Sequence, residues 1–140
     1  MIKRTPLDAA VSNCVRESAN WTCERCKNYF PEGSGRAGLH NSHFYGRGGQ
    51  SVRYFPDNCD CLCYGCHKYM ERSRDEYTSF KLQKLGETCF DQLVLRANKP
   101  RKYTKSDKKE MLIHYRSELA SMQAKRLLGW QGYLGIVSYD

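Results

Sequence analysis

The sequence predicts an α+β fold: a zinc-braced ββα core preceded by an N-terminal helix and followed by a helical C-terminal half. Three observations lead there. Two CxxC pairs, Cys23-Glu24-Arg25-Cys26 and Cys63-Tyr64-Gly65-Cys66, are separated by 36 residues. The interval between them reads as two extended stretches around a glycine-rich turn. Beyond the second pair, apolar residues recur mainly at helical spacing.

Taken in order, Thr5-Pro6-Leu7-Asp8 supplies a capping hydroxyl, a proline for the first helical position and an early carboxylate, so a helix should run through AAVSNCVRE. NWTCERCKNYF carries the first knuckle, and PEGSGRAG is a loop by its proline and glycines. A strand should start at Leu39 and run through HNSHFY into GRGGQ, with SVRYF as its hairpin partner, ending at Pro56-Asp57-Asn58. A helix should then begin at about Cys66. Ser73-Arg74-Asp75-Glu76 has the form of a capping box for a helix carrying Tyr77, Phe80 and Leu85, stopped by Gly86. A further helical piece covers about 87–96. After the basic linker NKPRKYTKSDKK, Met111, Tyr115, Leu119 and Met122 mark the packing face of a helix over 110–128. The length of 140 residues suits one domain with an appendage. The division expected is a core over 1–96 and a linker with helical extension over 97–140.

Lys and Arg number 23 against 15 Asp and Glu, a formal net charge of +8, which favours a polyanionic partner, nucleic acid being the commonest. The basic residues are spread along the chain rather than gathered beside an amphipathic anchor, which argues against a membrane surface. No window approaches the run of about 18 apolar residues that a spanning helix needs. MIKRTPLDAA lacks the apolar core of a signal peptide, so the expected setting is soluble and cytoplasmic.

Eight cysteines in such a chain call for a disulfide framework or a metal, and reduced thiols favour the metal. Two CxxC knuckles can close one tetrahedral zinc through Cys23, Cys26, Cys63 and Cys66. Four thiolates leave no open position, so this zinc would be structural. The competing thioredoxin-like reading wants a βαβ setting that is not evident. Cys14, Cys59, Cys61 and Cys89 read as small hydrophobes without assigned chemistry. Three of the four histidines, His40, His43 and His67, fall on or between the knuckles; His114 stands apart on an amphipathic helix.

His43, then Asn58 after 14 intervening residues, then His67 after 8 more, resembles the signature of the His-Asn-His nucleases, also called ββα-metal nucleases. The segment NCDCLCYGCH is especially similar. The resemblance covers about residues 20–72. Within it, LHNSHFYGRG and VRYFPDN are similar to the phage recombination nucleases of the NinG or Rap type. That resemblance implies a bacteriophage DNA endonuclease acting on branched recombination intermediates such as Holliday junctions. Paired incision of a two-fold junction would favour a homodimer built on the C-terminal helices.

The resemblance also implies roles. His43 would be the general base, since a largely neutral imidazole can take a proton from water. Asn58 would hold the hairpin and orient His43, although an asparagine after Pro-Asp is equally a turn residue. His67 would hold one catalytic Mg²⁺ or Mn²⁺, distinct from the zinc. Ser42 stands where the family commonly has an acidic ligand, which leaves His40 as the leading substitute and Asn41 as its rival. Strand alternation puts His40 and His43 on opposite faces, so a shared metal site needs a twist or bulge; His40 could instead contact DNA. Arg47 and Arg53 flank the glycine-rich turn and could clamp phosphate, or merely solubilise a loop. Lys99, Arg101, Lys102 and Lys105 would track the DNA backbone without reading bases, or form a solvated linker. Two other readings share these residues: a zinc-stabilised DNA-binding module without nuclease activity, and a sequence-specific or packaging-associated nuclease.

Overall fold

The computed structural model describes residues 2–140. Helix α1 (Pro6–Ser18) starts as its sequence dictates. Thr5 N donates to the Asp8 carboxylate at 2.8 Å and Asp8 N donates to the Thr5 hydroxyl at 3.3 Å, so two otherwise orphaned amides satisfy each other's side chains. Pro6 sits where a missing N–H costs nothing. The first knuckle follows, closed by Cys23 N to Asn28 O and Phe30 N to Trp21 O, both 2.9 Å.

Strand β1 (Leu39–His43) starts at the expected residue but stops at His43, and its partner is not SVRYF. Gln50–Arg53 forms a short helical turn, α2, and the partner is β2 (Cys59–Cys63), paired antiparallel from Leu39 with Cys63 to His43 with Cys59. The reason lies in burial. Cys59, Asp60, Cys61 and Leu62 are all buried, so β2 is covered on both faces and shows no alternation to read. SVRYF has the alternation, but Val52 and Tyr54 reach the core from a helical turn instead. The strand, strand, helix order survives, since β2 runs directly into α3 (Tyr64–Arg72).

The expected capping box at Ser73 does not form. Ser73 N donates to Tyr69 O at 3.0 Å to close α3, and with ψ at 75°, against 167° and 168° at the capping residues Thr5 and Thr104, its hydroxyl makes no bond to the helix it precedes, α4 (Arg74–Leu85). Gly86, at φ +79°, ends α4 and opens α5 (Glu87–Ala97), a left-handed conformation that suits glycine. Helix α6 (Lys105–Leu127) begins five residues before the expected start at 110, because Thr104 and Asp107 form a capping box, 2.9 and 3.0 Å.

Helix α6 lies against α1, the most extensive helix–helix contact in the chain. Met111, Tyr115 and Met122 are buried with Leu7, Val11, Leu62 and Leu93 in one cluster, each large apolar side chain contributing about 1.5–3 kcal/mol. The expected boundary at 97 therefore divides no core. Residues 130–140 form no regular element but are strapped down: Leu134 N donates to Ser18 O at 2.9 Å and Tyr139 N to the Tyr115 hydroxyl at 3.2 Å. Behind the sheet, the fully buried Asp60 carboxylate accepts from Tyr77 Oη (2.8 Å), Lys81 Nζ (3.1 Å) and Lys84 Nζ (2.7 Å). Lys84 also meets Glu24 at 2.9 Å, which ties the first knuckle to α4. The described residues are thus a mixed α+β fold of six helices and one two-stranded sheet. No helix among them is long and apolar enough to cross a membrane.

Candidate active site and metal centre

Cys23 and Cys26 come from the first knuckle, Cys63 from the end of β2 and Cys66 from the first turn of α3. Their four Sγ atoms lie within 4.8 Å of one another. Cys26 and Cys63 are 3.9 Å apart, close to the edge of about 3.8 Å that a tetrahedron with Zn–S bonds of about 2.3 Å requires. The donors present therefore fit a zinc ion. Burial raises the pKa of Cys26, Cys63 and Cys66; at Cys23 the amides of Cys26, Cys63 and Arg25 outweigh burial and lower it. Cys14, Cys59 and Cys61 are buried and lie outside the cluster.

On the other side of α3 a cleft of about 450 Å³ runs between α1 and α3, lined by His40, His43 and His67 together. No bulge is needed to unite them, as the register of β1 is unbroken. In a two-stranded sheet β1 has a free edge, α1 packs along it with Arg16 Nε donating to Leu39 O at 2.9 Å, and imidazoles from both faces reach the cleft over that edge.

The hydrogen bonds assign the tautomers. His40 Nε2 lies 2.9 Å from Arg36 O, which can only accept, so Nε2 carries the proton. His67 Nε2 lies 3.1 Å from the Glu71 carboxylate, which again requires an N–H. The two Nδ1 atoms then face each other at 3.1 Å with a lone pair each, an arrangement satisfied by a cation or a proton between them. Burial lowers the His67 pKa, opposed by Glu71 and reinforced by His40, which disfavours the proton. Glu71 is placed as carboxylates are placed behind metal-ligating imidazoles. Asn41 also lines the cleft, its Oδ1 buried without a hydrogen-bond partner, but the side-chain atom that meets His67 is Nδ1 of His40.

His43 points its Nε2 at Arg53 O, 3.1 Å away, so Nε2 donates and Nδ1 holds the lone pair. Burial, with a smaller push from the Arg47 charge, brings its pKa down to about 4 against the pull of that carbonyl. The imidazole is neutral at ordinary pH. Asn58 is fully buried and makes no bond to His43. Its Oδ1 accepts from Tyr45 N at 2.8 Å, and its Nδ2 donates to Tyr45 O and Val52 O at 3.0 and 3.1 Å. Asn58 thus fastens the β1–β2 connection, and the residue after Val52 presents the carbonyl that holds His43.

The charged and polar residues around the cleft divide as follows. Arg53 cannot clamp a ligand from the cleft, for its guanidinium forms a bidentate pair with Asp8 at 2.9 and 2.6 Å and both side chains are buried. Ser42 is fully buried and hydrogen-bonded to the Tyr77 hydroxyl at 2.8 Å, so no ligand from that position enters the cleft. Lys99, Arg101, Lys102 and Lys105 are exposed but do not line it. Arg47 does, together with Arg4 and Arg16. Arg4 stands just before α1 and Arg16 in its last turn, outside the interval between the knuckles, and no local pattern links either to the histidines. Glu71 was legible as an i, i+4 partner of His67. His114 lies apart, 2.7 Å from Val137 O. No protein-family model matches the chain, and no curated protein or solved structure matches it either.

Proposed function

We propose that the chain is a metal-dependent DNA endonuclease that hydrolyses phosphodiester bonds by a one-metal His-Asn-His mechanism. The observation that carries this reading is the pair of opposed Nδ1 lone pairs of His40 and His67 in the same cleft as a neutral, tautomer-fixed His43. A Mg²⁺ or Mn²⁺ ion held by His40 and His67 would supply charge stabilisation at the scissile phosphate and its leaving oxygen. His43 Nδ1 takes the proton from the attacking water, and the Arg53 carbonyl steadies the imidazolium that results. Arg4, Arg16 and Arg47 draw the phosphate backbone into the cleft and fix its orientation. Asn58 acts as a positioning residue through the chain segment it fastens. The test is incision by wild type and by His43→Ala.

The substrate class follows from the sequence resemblance: branched DNA of the recombination-intermediate kind, with a homodimer as the assembly that paired cuts would use. A second reading, a zinc-stabilised DNA-binding module without catalysis, is favoured by one observation. With Ser42 turned into the core, β1 offers the cleft no carboxylate ligand. Metal-independent binding without incision would select that reading.

A further inference from the structure

Away from the histidine cleft the chain builds a second anion cradle and fills it with one of its own carboxylates. Asp140 accepts from Arg96 Nη2 at 2.6 Å and from the Tyr103 hydroxyl at 2.7 Å, and Arg101 Nη2 stands 3.5 Å from the same group. The donors are held in place. Arg96 donates through Nε to Ser51 O at 2.6 Å, and its guanidinium lies 3.9 Å from the Phe55 ring centroid. Arg101 lies 4.8 Å over the Tyr103 ring, and Tyr103, only 6% exposed, donates its amide to Gln50 Oε1 at 3.1 Å. Two stacked guanidinium groups and a buried hydroxyl converging on two oxygens match a phosphate as well as a carboxylate.

Charge and space both exceed what Asp140 uses. Arg96 and Arg101 share one carboxylate, and beside them opens a cavity of about 780 Å³ whose walls include Lys99, Phe55, Leu95 and Pro100. That volume is within the range of ligand pockets, about 300–1,000 Å³, and Leu95 is 68% exposed. We propose that this cradle is a second phosphate-binding subsite for a nucleotide unit: phosphate replaces the Asp140 carboxylate on Arg96, Arg101 and Tyr103, and the attached sugar and base lie in the apolar cavity. Asp140 is then an internal competitor that a bound strand displaces. The identity of the ligand as a nucleotide rests on the nuclease reading of the histidine cleft. The two sites meet on α2, where Ser51, which receives Arg96, is two residues from Arg53, which holds His43.

The test is the affinity of the full chain for a 5′-phosphorylated oligothymidylate, for thymidine monophosphate and for inorganic phosphate, by fluorescence anisotropy or calorimetry at low salt. Asp140→Asn should bind the oligonucleotide about tenfold more tightly and Arg101→Gln about tenfold more weakly, with the double variant losing the gain. Thymidine monophosphate binding as tightly as the strand supports the cradle with a free nucleotide as its source. Unchanged or weaker binding by a folded Asp140→Asn overturns the proposal. So does Arg101→Gln without effect, a variant that keeps fold because Arg101 is half-exposed. An incision assay on the same samples separates the two claims. His43-dependent cutting with Asp140→Asn neutral sinks the subsite alone, whereas an Asp140→Asn gain without any cutting sinks the nuclease reading alone.

Discussion

The Nδ1 atoms of His40 and His67 stand 3.1 Å apart, 27 positions apart in sequence, while both Nε2 atoms are committed elsewhere. Two lone pairs held at that distance repel unless something positive lies between them. Mn²⁺ should therefore bind in the cleft, and His40→Ala or His67→Ala should each weaken it by about tenfold or more. Mn²⁺ titration followed by electron paramagnetic resonance reads this directly. Zinc content should stay the same in both variants. Undiminished Mn²⁺ affinity in His40→Ala would instead make that residue a DNA contact.

His43 sets the pH dependence. With its pKa brought down to about 4 by burial and the Arg47 charge, the free protein holds it unprotonated from weakly acid pH upward. The acid limb of kcat/KM, which reports the free enzyme, should lie near 4 rather than at the ordinary 6.5 of an imidazole. Stability follows in sign. The unfolded chain takes up this proton below about 6.5 and the folded chain only near 4, so this group's contribution declines as pH falls through that window and changes little beneath it. A pH–rate profile and urea midpoints between pH 4 and 7 check both; an acid limb at 6.5 contradicts the assignment.

The four-thiol centre should hold one zinc per chain, with proton release on binding because three of its thiols are raised when metal-free. Cys63→Ser should lose the metal and much of the thermal stability. Cys59→Ser and Cys61→Ser should keep it, since both thiols are buried and pushed upward, Cys59 to about 12, and neither reaches the cluster. Metal analysis with a thermal melt distinguishes these outcomes.

The Asp8–Arg53 pair joins α1 to the residue that holds His43. Its side chains are 6% and 10% exposed, so removing one partner strands a buried charge. Arg53→Ala should cost about 3–5 kcal/mol by urea denaturation. Asp8→Asn should cost less, because it removes the charge but keeps an acceptor. An Arg53→Ala protein with an unchanged midpoint would show that the pair does not hold α1 in place.

Where local chemistry decides the structure, the sequence was readable. Thr5 and Asp8 announce α1, Gly86 announces the α4–α5 corner, and the Met111, Tyr115, Met122 spacing announces the face of α6 that meets α1. Where tertiary context decides, it was not. The β2 strand hides because Asp60 is buried on the pairs it makes with Tyr77, Lys81 and Lys84, contacts that no local pattern encodes. Ser73 carries the residue pattern of a capping box but not its backbone, since the same residue closes α3. At the site, the three histidines and four cysteines were legible from residue type and spacing. Beside the glycine-rich turn Arg53 reads as a phosphate clamp or a loop solubiliser, and nothing local reveals its partner, 45 residues away in Asp8. Arg4 and Arg16 reach the cleft only through the packing of α1 along β1, which is tertiary and not encoded locally.

The most direct test is incision of a labelled four-way junction, with matched linear duplex as control, by wild type and His43→Ala in Mg²⁺, Mn²⁺ and EDTA. Metal-dependent cutting of the junction by wild type, reduced about 10²–10⁴-fold in His43→Ala with DNA binding retained, is the expected result. Binding of both DNAs by both proteins without incision under any metal would contradict it.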